Sequence, residues 1–104
     1  MRAMILYNVT VNVEDSIHDE WLAWMRQTHI PDVMRTKKFI SSRIFRLIGD
    51  EDSGGKTYSI QYSCNTMNDF LDYEHNHAKA LREAHTAKFK DKFVAFRSIL
   101  ESVD

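Results

Sequence analysis

Two tyrosines and two histidines are the side chains of this 104-residue sequence best suited to moving a proton. Tyr7 and Tyr58 stand in two segments of alternating polarity, His29 closes a first helical stretch, and His85 lies in a second. An imidazole within reach of a phenol can exchange protons with a small substrate. The grouping supposes that the first and third strands run in the same direction with both helices running back against them. The helix ends then fall beside the beginnings of those strands, and Tyr7, His29, Tyr58 and His85 become candidate catalytic groups. The same cluster also reads as a polar plug at the edge of a core.

Trp24, Tyr62 and His77 are the candidate ligand contacts, since all three fall on the side that helices would cover. His77 sits within an apolar stripe, where an unpaired imidazole costs about 1–3 kcal/mol and must find a partner or a cavity. His29, in a last helical turn, is favoured in its protonated form by the macrodipole, and a bond to a free carbonyl is its structural reading. Glu74 and His77 are a minimal carboxylate–imidazole pair, but metal sites need three or four ligands and no second pair follows, so no metal is expected. Gly54-Gly55-Lys56-Thr57 lacks the first glycine of a phosphate loop and joins two strands rather than opening a helix. Cys64 has no basic neighbour in sequence to activate it and reads as an inert thiol.

Composition narrows the class. Hydrophobic residues make up 43% and charged residues 28%, with a formal net charge of −1, which recruits neither nucleic acid nor anionic lipid. A single cysteine excludes an internal disulfide and fits a reducing compartment. The start, Met1-Arg2-Ala3-Met4-Ile5-Leu6, is too short an apolar run for a signal peptide, and no segment approaches the roughly 20 apolar residues of a membrane span. A cytoplasmic location is therefore expected.

The elements that must position these groups follow from periodicity. Ile5, Tyr7, Val9, Val11 and Val13 alternate with Leu6, Asn8, Thr10 and Asn12, which predicts a strand with one apolar face. Ser16 with Asp19 predicts a capping box, and Ile17, Trp21, Trp24, Met25 and Thr28 a buried stripe, ended or restarted by Pro31. A second strand spans Phe39 to Ile48, with Ile40, Ile44 and Ile48 on one side and Phe39, Phe45 and Leu47 on the other. A loop at residues 49–55 leads to a third strand, Lys56 to Ser63. Thr66 with Asp69 caps a long second helix whose stripe is Phe70, Tyr73, His77, Ala80, Leu81, Ala84 and Ala87. Phe93 to Val103 closes as a fourth strand. The order βαββαβ, in one domain over residues 1–104, is the ferredoxin-like arrangement: a four-stranded antiparallel sheet with two helices on one face. Its other face mixes polar residues with large apolar ones and predicts a homodimer through that face.

On the helix Trp21-Leu22-Ala23-Trp24-Met25 running into His29-Ile30-Pro31-Asp32-Val33-Met34, then Phe39 and the strand Arg43-Ile44-Phe45-Arg46-Leu47, the chain resembles the dimeric α+β barrel superfamily. That superfamily includes small antibiotic-biosynthesis monooxygenases and muconolactone isomerase. Within it, the sequence looks most like a bacterial family of about 100 residues with no assigned activity. The resemblance implies the architecture and the dimer far more than the chemistry. Haem-degrading members pair a first-strand asparagine with a tryptophan and a ligating histidine on the second helix. Asn8 and His75, His77 and His85 are in place here, but that helix has no tryptophan. The expectation is a cofactor-free enzyme or binder acting on a small apolar or aromatic molecule between sheet and helices. The alternative is a non-catalytic dimeric interaction or metabolite-sensing module. RNA binding on the open face is disfavoured, because Thr57, Ser59, Gln61 and Ser63 stand where stacking aromatics are needed.

Overall fold

Strand β1 (Ile5–Glu14) forms where the alternation predicts it and lies at the centre of the sheet. The computed structural model of the chain describes residues 3–50 and 53–104. Met1 and Arg2 of the chain start and Glu51 and Asp52 of the expected loop lie outside them. Around β1 the sheet adds β2 (Ser41–Arg46), β3 (Gly55–Cys64) and β4 (Phe93–Glu101) in the order β2-β3-β1-β4. Every pairing is antiparallel. Helices α1 (His18–Trp24), α2 (Ile30–Arg35), α3 (Met67–Asn76) and α4 (Ala78–Phe89) supply the second layer. The molecule is a slab of 42 × 30 × 19 Å, so its thin dimension holds one sheet and one layer of helices.

The core lies between these layers. Tyr7, Val11 and Val13 from β1 and Tyr58, Ile60 and Tyr62 from β3 meet Trp21, Met25, Val33, Phe70, Tyr73 and Phe89 from the helices. At the end of the central pair, Gly55 lies opposite Glu14, and a Cβ there would come within 2.7 Å of the Val13 carbonyl oxygen. Only glycine allows that approach.

Four sequence expectations change, each for a local reason. First, β1 and β3 run in opposite directions, so Tyr7 faces Tyr62 whereas Tyr58 pairs with Val11. Tyr7 and Tyr58 are therefore not neighbours. Second, the first helix does not end near His29. It passes through a π-helical turn at Met25–His29 in which the Ile30 N–H reaches back to the Met25 carbonyl, and it continues to Arg35. Pro31 explains the turn: it has no N–H to donate, and its ring would strike the preceding turn of a regular helix. His29 thus has no helix terminus beside it, and Thr28 of the expected stripe is exposed.

Third, the second helix is two helices broken at His77, whose φ and ψ of −129° and −35° are not helical. Thr66 caps α3 as expected, its hydroxyl oxygen accepting from the Asp69 N–H at 3.1 Å. The break resets the phase: Ala78, His85 and Phe89 are buried, whereas Ala80, Ala84 and Ala87 are exposed. At the other predicted cap, Ser16 instead donates to Glu14. Fourth, β2 is shorter than expected. Phe39 precedes it and turns into the core, its ring 4.8 Å from that of Tyr73, whereas Ile40 and Ile48 are exposed.

The open sheet face has a polar centre and greasy flanks. Asn8, Thr10, Ser59, Gln61 and Ser98 form a hydrogen-bonded ladder across β1, β3 and β4, and Asn12 donates to Thr57. Beside it, Phe45 and Leu47 are 41% and 53% exposed on one flank, and Val94 and Phe96 are 70% and 66% exposed on the other. Among the described residues, no helix is long and apolar enough to cross a membrane.

Candidate active site

A narrow cleft between sheet and helices gathers the chemistry. Tyr7, Val9 and Val11 of β1, Ile60 and Tyr62 of β3, and Ala95 and Arg97 of β4 form its floor; the helices close it with residues that include Met25, His29, Tyr73, Arg82 and His85. Its cavity is about 30 Å³. That is room for one or two waters.

Two imidazoles face each other here, with ring centroids 5.7 Å apart. His29 stacks on Trp24 at 5.1 Å and makes no hydrogen bond among the described residues. Burial, with Arg97 adding to it and Asp32 opposing it, lowers its pKa to about 4. His85 is caged by Trp24, Phe89 and Phe93. Burial first, then His29 and Arg97, likewise lower its pKa to about 4. The buried Trp21 indole N–H donates to His85 Nε2 at 2.9 Å. An indole nitrogen only donates, so Nε2 carries no proton and the His85 hydrogen sits on Nδ1. Both rings are neutral at pH 7, one with a fixed tautomer and one with free nitrogens.

The phenols form a second layer. The Tyr7 ring packs against Phe39, Tyr62, Phe70 and Tyr73, and its oxygen accepts from Arg82 Nη2 at 3.1 Å. Arg82 also grips Glu74 with both terminal nitrogens, at 2.9 and 2.8 Å, so its charge is met from behind. Burial holds the Tyr62 and Tyr73 phenols above their ordinary range, so both stay protonated.

A family model described as a domain of unknown function, DUF4286, matches residues 4–103. The chain belongs to that family. No curated protein matches this DUF4286 chain. Crystal structures similar to it show the fold at low sequence identity. One is an ethyl tert-butyl ether D (EthD) family protein from Bacillus halodurans, 13% identical, with a TM-score of 0.70 over 95% of this chain and 99% of that one. Another is SnoaB, a cofactor-independent oxygenase from Streptomyces nogalater, 11% identical, with a TM-score of 0.69 over 96% and 94%. A dimeric ferredoxin-like protein from an uncultured marine organism is 10% identical, with a TM-score of 0.65 over 99% and 98%. The DUF4286 chain thus has the ferredoxin-like α+β fold that its element order predicts.

Of the seven residues singled out from sequence, four line the cleft of this DUF4286 domain: Tyr7, His29, Tyr62 and His85. Trp24 stands behind them as the surface on which His29 stacks. Tyr58 is elsewhere, its hydroxyl 2.6 Å from Nε2 of His18, whose Nδ1 meets Asp19. His77, at the helix break, stacks on the outer side of Tyr73 at 6.3 Å. Glu74, three residues before it, is engaged by Arg82. Sequence reasoning missed Arg82, Arg97 and the lining role of Tyr73. Ala78, Arg82, His85 and Phe89 share one face of α4, and that spacing was the available signal.

The two depressed histidines make stability pH-dependent. The denatured chain takes up protons near pH 6.5, whereas the native rings resist until about pH 4. Stability is therefore full above pH 6.5 and falls as pH drops through that window. Urea denaturation at pH 7 and pH 4.5 should differ by on the order of 3 kcal/mol, after allowing for partial solvent screening. Equal stabilities at the two values would show that the rings are not held neutral by burial.

Proposed function

We propose that this DUF4286 domain works as a homodimer joined through its open sheet faces, and that each copy binds and deprotonates a small aromatic molecule in the cleft without a cofactor. The observation that carries the reading is His29: a neutral imidazole with unpaired nitrogens, held by a π turn at the wall of an aromatic cleft. Such turns recur at functional sites because they present side chains that a regular helix does not. His29 accepts the proton, and the Trp21-fixed Nδ1–H of His85 is a donor for the oxygen that gains charge. Tyr62 and Tyr73 stay protonated and, with Tyr7, provide ring surface. The likeness to a cofactor-independent oxygenase supports chemistry in which the deprotonated substrate itself gives up electrons to dioxygen from air, the co-reactant that oxidises it.

The cleft is too small for a ring, so binding displaces side chains at its mouth, a common scale of adjustment. The test is a library of small phenols and hydroxylated quinones, followed in air by absorbance and by the Met25 methyl resonance. A substrate should shift that methyl and be consumed, and His29→Asn should bind it yet turn it over about 100-fold more slowly. Turnover by His29→Asn equal to the wild type removes His29 from the role. Binding without any turnover by the wild type leaves a metabolite-sensing module instead.

A further inference from the structure

The charges around the cleft do not balance. Two arginines and two histidines line it, with no aspartate or glutamate among the lining residues. Arg82 is already matched by Glu74. Arg97, on the helix-facing side of β4 opposite Val9, makes no ion pair or hydrogen bond among the described residues. We propose that the cleft takes a small aromatic carboxylate, with the carboxylate docked on the Arg97 guanidinium and the ring inserted among Met25, Tyr62 and Tyr73; this rests on the cleft being the ligand site.

Three features favour an anion over a neutral ring. A guanidinium presents parallel N–H groups that match a carboxylate two to two. Next, Arg97 is exposed at the rim of the cleft, so an incoming carboxylate reaches its guanidinium without displacing a protein partner. Finally, Arg97 pushes His29 and His85 towards neutrality. A carboxylate placed between them cancels that influence. His29 becomes a stronger base only when the ligand is seated, which couples binding to proton uptake without any moving part.

The experiment uses the full chain with three probes of one size: benzoate, benzyl alcohol and benzylamine. Affinity is read from the Met25 methyl and from the ring protons of His29 and His85. Benzoate is expected to bind at least tenfold more tightly than either of the others, and its saturation should raise the His29 titration midpoint above about 4. Arg97→Gln should erase the preference, and Arg97→Lys should restore part of it. Equal binding of benzyl alcohol, a preference surviving Arg97→Gln, or an unmoved His29 midpoint overturns the anion assignment and leaves the cleft as a ligand site. No perturbation of Met25 by any probe overturns the assignment and the cleft reading together.

Discussion

Trp21→Ala is expected to leave the domain barely folded. Trp21 is fully buried, and its ring packs 5.2 Å from that of Tyr58. Removing a buried tryptophan ring costs about 3–5 kcal/mol. The lost indole N–H also leaves His85 Nε2 unpaired in an apolar cage, which adds about 1–3 kcal/mol unless water enters. Domains of this size hold roughly 5–15 kcal/mol in total. Urea denaturation of the variant should therefore show a midpoint near zero denaturant. Trp21→Phe separates the two losses: the ring volume is mostly kept, the bond to His85 is not. In that variant His85 can adopt either tautomer, and nitrogen shifts of its ring should show the mixture. A variant Trp21→Ala within 1 kcal/mol of the wild type would mean that α1 is not seated on the sheet through this residue.

Phe96→Asp is expected to abolish the proposed dimer. Phe96 and Val94 stand on one flank of the open face and Phe45 and Leu47 on the other, all substantially exposed in the single chain. Stable pairs bury about 1,200–2,000 Å² in total, with apolar anchors contributing most of the affinity. A carboxylate at an anchor position must be desolvated without a partner, a cost of several kcal/mol. Light scattering at micromolar concentration should give twice the 12.2 kDa chain mass for the wild type and a single chain mass for the variant. The cleft opens on the opposite side of the sheet, so benzoate binding should survive in the monomer. A wild type that runs at a single chain mass across that range would refute the pairing.

The sequence revealed most of the fold because its strands obey a strict rule. Alternation from Ile5 to Val13 and from Tyr58 to Tyr62 places each side chain on one face or the other, and a strand offers no third choice. Thr66 and Asp69 were legible for a similar reason, as a local exchange of hydrogen bonds between near neighbours. The helices were harder because a uniform period was applied across two irregularities. The turn before Pro31 shifts the stripe from Thr28 to His29, and the break at His77 shifts it from Ala80 and Ala84 to Ala78 and His85.

The candidate site was half legible. Tyr7, Tyr62, His29 and His85 were all named, but their grouping with Tyr58 rested on a strand direction that the sheet reverses. Arg82 and Arg97 were passed over because a charged residue in an amphipathic pattern reads as solvated. Only the three-dimensional arrangement shows one of them tied to Glu74 and Tyr7, and the other unpaired at the cleft.

The π turn at Met25–His29 absorbs one extra residue without turning the rest of the helix off the sheet. At about 100° per residue, uninterrupted winding from Trp21 would leave Val33 about 120° around the axis, facing sideways. The one surplus residue subtracts about 100° and brings Val33, which is 1% exposed, back over the sheet beneath Trp21 and Met25. Arg26, Gln27 and Thr28 point outward and are free to vary in kind. A deletion of any one of them would wind the stretch as regular helix with Val33 eleven residues after Trp21, again about 20° from its line, and the strain would fall on Pro31, whose ring would then meet the preceding turn.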